Sequence, residues 1–108
     1  MTTLTYTEHK GENLFVKVSL DGHADFNPGN DIVCAGISTI TFQMIGMLEE
    51  LAAEGSVTYV TNEIRPGHTM TCFRCIDEDK WHLVWRVIKM GYECIAENYP
   101  EHLHIADK

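Results

Sequence analysis

Between Ile37 and Leu51, large apolar side chains recur at three- and four-residue steps: Ile37, Ile40, Met44, Leu48 and Leu51. Such spacing gathers them on one stripe of an α-helix, so this stretch needs a surface to pack against. The expected helix runs from about Ile32 to Glu54, with Gly55 placed to end it. The residues before it carry a different period. Leu14, Val16, Val18 and Leu20 alternate with Phe15, Lys17 and Ser19, which sorts the two sets onto opposite faces of a strand. Leu4 and Tyr6, set between Thr3, Thr5 and Thr7, repeat the alternation, and His9-Lys10-Gly11-Glu12-Asn13 supplies a turn. The first two strands therefore read as a hairpin.

A second round follows the helix. Strands are expected near Ser56–Ile64 and Thr69–Ile76, joined at Arg65-Pro66-Gly67-His68, where Pro-Gly favours a type II turn. A helix from about Asp79 to Asn98 carries Trp81, Trp85, Ile88, Tyr92 and Ile95 at helical spacing, which marks a core stripe rather than a ligand box. Tyr99-Pro100 stops it, and HLHIADK is left as a short tail or edge strand. The order is β-β-α-β-β-α. The expected fold class is α+β, two helices packed against an antiparallel sheet, with residues 1–108 forming a single domain.

Composition narrows the function classes. With 44% hydrophobic and 22% charged residues, the 108-residue chain has the make-up of a soluble globular protein. No apolar run is read as approaching the ~20 residues that cross a bilayer, so no membrane partner is expected. MTTLTYTEHK lacks the basic start and apolar middle of a signal peptide, which points to a cytoplasmic location. A net charge of −8 disfavours direct nucleic-acid binding, because phosphates are met by cations. It suits a basic protein partner, or serves solubility alone.

The four cysteines are Cys34, Cys72, Cys75 and Cys94. Cys72 and Cys75 form a CxxC pair, but they lie in the alternating stretch TMTCFRCI. Residues three apart on a strand face opposite ways, so their sulfurs do not converge on one ion. No metal and no cofactor are expected. A thiol redox role for the pair meets the same geometric objection.

One segment stands apart, GHADFNPGNDIVCAGIS at residues 22–38. Asp31 is a good N-cap, its carboxylate able to accept from free amides of the first turn. Cys34 then falls at the third helical position, where partial positive charge favours a thiolate over a thiol. His23, eleven residues earlier, ends the second strand, and ADFNPGN permits a reversal or a mobile loop that returns it to the helix start. A thiolate attacking a carbonyl, with an imidazolium protonating the departing amine, is cysteine-dependent acyl transfer. Ser38, one turn after Cys34, could order a water or the loop, or bond back to its own helix. The residues alone leave open whether His23 and Cys34 are partners or two unrelated structural side chains. His9, His68, His82, His102 and His104 are expected at the surface without chemistry.

Gly22-His23-Ala24 followed by Asp31-Ile32-Val33-Cys34-Ala35-Gly36-Ile37-Ser38 closely resembles the ribosomal-processing cysteine protease family, Prp. The likeness continues through Leu48-Glu49-Glu50-Leu51, Gly91-Tyr92 and Ile95-Ala96-Glu97-Asn98-Tyr99-Pro100, nearly the whole chain. It implies a bacterial, cytoplasmic homodimer that removes an N-terminal extension from large-subunit ribosomal protein twenty-seven, cutting after an aromatic-rich segment. On this resemblance His23 is the general base and Cys34 the nucleophile. Gly22, Asp31 and Ser38 support the site, and Ala24, Asp25, Phe26, Asn27, Pro28, Gly29 and Asn30 form a substrate loop. Ala35-Gly36 departs from the two alanines more common there, as does Asn27-Pro28 from the family's small and aromatic loop residues. Relatives in phage genomes make a capsid or scaffold protein an alternative substrate. A non-catalytic protein-binding module is the other alternative.

Overall fold

The computed structural model describes residues 1–106; Asp107 and Lys108, the end of the expected tail, lie outside them. The chain runs β1 (Thr2–Lys10), β2 (Leu14–Asp21), α1 (Ile32–Ala53), β3 (Val57–Arg65), β4 (His68–Cys75), α2 (Glu78–Asn98) and β5 (Leu103–Ala106). The strands form one sheet in the order β3-β4-β2-β1-β5. β1–β2, β2–β4 and β3–β4 are antiparallel, so each expected hairpin forms and the two hairpins join through β2 and β4. The sheet is mixed rather than purely antiparallel, because β5 adds parallel to β1, pairing Thr2 with Leu103 and Leu4 with Ile105. Helix α2 carries the chain from the interior strand β4 to the far edge of the sheet, and a strand following such a crossover can lie parallel to its neighbour. The tail is thus an edge strand, with Leu103 buried.

Each helix end has its own chemistry. Asp31 and Asp77 cap α1 and α2, accepting from the amides of Cys34 and Lys80. α1 closes on Gly55, whose φ of 83° opens the left-handed region. The amide of Gly55 bonds Ala52 O and that of Ser56 bonds Leu51 O, which is the Schellman pattern. Strand β3 carries a register shift between Thr58 and Thr61, with Tyr59 at φ 55°, that alternation alone did not disclose.

One face of the sheet and one stripe of each helix make the core. Leu4, Val16, Val18 and Phe73 from the sheet meet Met44 and Leu48 of α1 and Trp81 and Tyr92 of α2, all buried. The polar atoms taken inside are partnered. Thr41 Oγ1 lies 2.7 Å from the Tyr92 hydroxyl, and Trp81 Nε1 donates to the Tyr6 hydroxyl at 3.0 Å. Burial pushes the Tyr92 hydroxyl up to about 12. The helices meet through glycines. A β-carbon on Gly36 would stand 3.3 Å from Ile95 Cδ1, and one on Gly91 would stand 3.0 Å from Ile40 Cδ1. Gly36, a weak helix former by itself, therefore serves helix–helix approach.

Helix α1 also corrects the membrane reading. It is long and apolar enough to cross a bilayer by length and composition, with an 18-residue window of mean hydropathy 1.5. Its charges wait until Glu49 and Glu50, so an apolar stripe and an uncharged opposite side add up over the window. Val33, Ile37, Thr41, Met44, Leu48 and Leu51 of this helix are buried within the fold.

The burial pattern yields a first expectation. Leu48 is 0% exposed and Leu83, on the outer side of α2, is 60% exposed. Leu48→Ala is expected to cost about 2–5 kcal/mol in urea unfolding. Leu83→Ala should stay within about 0.5 kcal/mol of the parent.

Candidate active site

Strand β2 delivers the chain to the site. Its last residue, Asp21, pairs with His68, so the end of β2 lies beside the β3–β4 turn. Gly22 then takes φ 96°, and a β-carbon there would come within 2.3 Å of Met1 O. No side chain fits that approach, which is the physical reason for glycine before His23. The Gly22 amide donates to Gly67 O at 2.8 Å.

The loop from Ala24 to Asn30 is tied down at several points, where the sequence suggested a loose connection. Ala24 is buried, and its carbonyl accepts from His102 Nδ1 at 2.7 Å. Phe26 meets Tyr99 and His102 edge-on, with ring centroids 5.3 Å away in both cases. Asp31 closes the loop on the helix: Oδ1 accepts from the Cys34 amide at 2.8 Å and Oδ2 from the Phe26 amide at 3.0 Å. These amides, Cys34 first, hold its carboxyl below the usual aspartate range. His102, expected as a bystander, is half-buried under this loop. Nothing in the sequence pairs it with Ala24, because the contact spans 78 positions.

His23, Cys34 and Ser38 line one cleft of ≈ 320 Å³, bounded on its other side by the turn at Pro66-Gly67. Gly22 lines it too, whereas Asp31 and the residues from Ala24 to Asn30 do not. The loop stands beside the cleft and Asp31 beneath its helix. Both His23 and Cys34 are exposed, so an entering chain can reach them. Leu20, Ile37, Phe42, Ile45 and Ile64 make the remaining wall largely apolar. Ser38 makes no side-chain hydrogen bond among the described residues, while Thr39 and Thr41 bond back to Ala35 O and Ile37 O. Its hydroxyl is therefore available to the cleft rather than spent on its own helix.

The other thiols are arranged differently. Cys75 is buried on the core face, and burial, followed by the nearby Glu78 and Glu8, pushes its thiol up to about 12. Cys72 projects from the opposite face, so the CxxC sulfurs do not converge. Among the overlooked histidines, His68 sits at the cleft rim with Nδ1 2.6 Å from Asp21 Oδ1. His82 Nε2 lies 2.8 Å from Glu8 Oε2 at the other end of the sheet.

A cleft that exposes a sulfur at a helix start to an extended apolar chain suits covalent attack on a peptide carbonyl. The chain is a cysteine protease. It belongs to the cysteine protease Prp family, whose model matches residues 1–104. The ribosomal processing cysteine protease Prp of Staphylococcus aureus is 29% identical over 96 residues, 87% of this chain and 88% of that protein. The crystal structure of the S. aureus essential ribosomal processing protease Prp with a covalently linked product peptide superposes at TM-score 0.73 with 28% identity, covering 100% of both chains. Its complex with a substrate peptide gives 0.72 and 26%, again over 100% of both. SMU.848 from Streptococcus mutans gives 0.67 and 29%, over 97% of this chain and 91% of that one.

Asp31 supplies a pH expectation. Its folded pKa lies below the unfolded one, so its contribution is complete above the unfolded value of about 3.9 and lost as pH falls through the folded value. Asp31→Ala should therefore lower the urea midpoint at pH 7, and the two proteins should converge under acid. A gap that persists unchanged at low pH would count against the carboxylate as its source.

Proposed function

We propose that this enzyme cleaves the N-terminal extension from large-subunit ribosomal protein twenty-seven, with Cys34 as nucleophile and His23 as general base. The observation that carries the reading is that these two side chains, with Ser38, share one cleft reachable from solvent. His23 takes the Cys34 Sγ proton, and the sulfur adds to the scissile carbonyl carbon. When the tetrahedral intermediate collapses, the C–N bond breaks and His23 returns the proton to the departing amine. A water then gives a proton to His23, its oxygen attacks the thioester, and the thiol regains its proton as the acid product leaves.

The amide of Cys34 is occupied by Asp31 and cannot also serve the oxyanion in this geometry. The free Ser38 hydroxyl is the donor this reading assigns near the reacting carbon. The largely apolar wall suits an aromatic-rich segment, and a net charge of −8 suits attraction of a basic ribosomal protein. The S. aureus relative is a ribosomal processing protease crystallised with substrate and product peptides, which supports a protein substrate of the same class. The reading includes a cytoplasmic homodimer. The free cysteines are consistent with a reducing compartment, and sedimentation velocity reads the dimer.

Purified Cys34→Ala should have no turnover on the extended ribosomal protein, and His23→Ala should lose about 10²–10⁴-fold in kcat. Both should keep the parent's unfolding midpoint closely. Processing by Cys34→Ala would end the proposal. Tight binding without turnover by the parent enzyme would instead favour a binding module, and cleavage confined to a phage capsid or scaffold protein would reassign the substrate.

A further inference from the structure

We infer that Gly67, in the turn between β3 and β4, is the positioning residue for His23; the inference rests on the dyad reading above. The turn reaches His23 through the sheet. β2 pairs with β4 so that Asp21 faces His68 and Leu20 faces Thr69, which carries the Pro66-Gly67 corner alongside Gly22 and His23. The Gly22 amide bonds Gly67 O at 2.8 Å and fixes the corner against the backbone that bears the histidine.

The imidazole rests on the bare α-carbon of that corner. A β-carbon at Gly67 would stand 2.7 Å from His23 Nε2, 3.1 Å from Cε1 and 3.3 Å from Cδ2. All three atoms belong to one edge of the ring, so that edge packs on the turn and the Nδ1 edge is turned away from it. Real β-carbons do not approach ring atoms so closely, so any side chain at this position displaces the ring. The contact matters because His23 is exposed and proton transfer tolerates little misplacement.

Gly67 also has φ 71°, as the third residue of a type II turn requires, so an alanine there confounds backbone strain with the contact. Asparagine separates the two, because it tolerates the left-handed region yet carries a β-carbon. Gly55 provides the control: its φ is 83°, but a β-carbon there meets nothing within 4 Å.

The experiment compares the full-length parent, Gly67→Asn and Gly55→Asn on a peptide spanning the cleavage site. Gly67→Asn is expected to lose at least about tenfold in kcat, with KM within about twofold and the urea midpoint close to the parent's. Gly55→Asn should match the parent throughout. Parent-like kcat in folded Gly67→Asn overturns the inference, while a parent-like His23→Ala would overturn the dyad itself. Should Gly67→Asn fail to fold, nuclear Overhauser effects in Cys34→Ala decide. Cross-peaks between the His23 ring protons and the Gly67 α-protons are expected, and their absence overturns the inference.

Discussion

The start of α1 presents amides that no turn of helix can satisfy, and the loop before it must close without a strand partner. Asp31 meets both needs with one carboxylate. One oxygen accepts from Cys34 and the other from Phe26, so the cap of the helix is also the latch of the loop. The Cys34 sulfur, the proposed nucleophile, is held on a helical turn that this cap begins. The loop in turn runs back to Gly22 and His23, so a change at Asp31 reaches both ends of the segment. This is why a half-buried aspartate outside the cleft matters to what happens inside it.

The second constraint is the pairing of β2 with β4. It is long in sequence and short in space, joining the two hairpins and bringing the Pro66-Gly67 corner to His23. Glycine allows a close approach at two places along this path. Gly22 passes the Met1 carbonyl, and Gly67 passes the imidazole. The cleft is assembled from a helix start, a strand end and a remote turn. Both helices pack on the same sheet face, so those three pieces sit on a common core.

The elements themselves were legible because period and punctuation agreed. The apolar steps of α1 and α2, the alternation of β2 and the Pro-Gly turn each identified an element to within about two residues. The glycine and aspartate at the ends of α1 do locally what their chemistry suggests. What alternation could not reveal was the direction of β5, since a short strand's residues do not encode whether its neighbour runs parallel. The bulge at Tyr59 was hidden for the same reason. At the site, GHA and DIVCAGIS were readable as motifs. The contacts that order the segment between them were not, because His102, Tyr99 and Gly67 are distant in sequence and carry no local signal. For Ser38 the sequence left two roles open; Thr39 and Thr41 bond back to their own helix, and Ser38 makes no such bond among the described residues.

The central claim is that Cys34 forms the covalent intermediate. Rapid quenching of the parent enzyme with an activated peptide ester, followed by intact-mass and peptide-mapping mass spectrometry, tests it directly. The account predicts an acyl adduct confined to Cys34 that disappears on the timescale of turnover. Ester cleavage with no adduct on Cys34, or with the adduct on Cys72, Cys75 or Cys94, would contradict it.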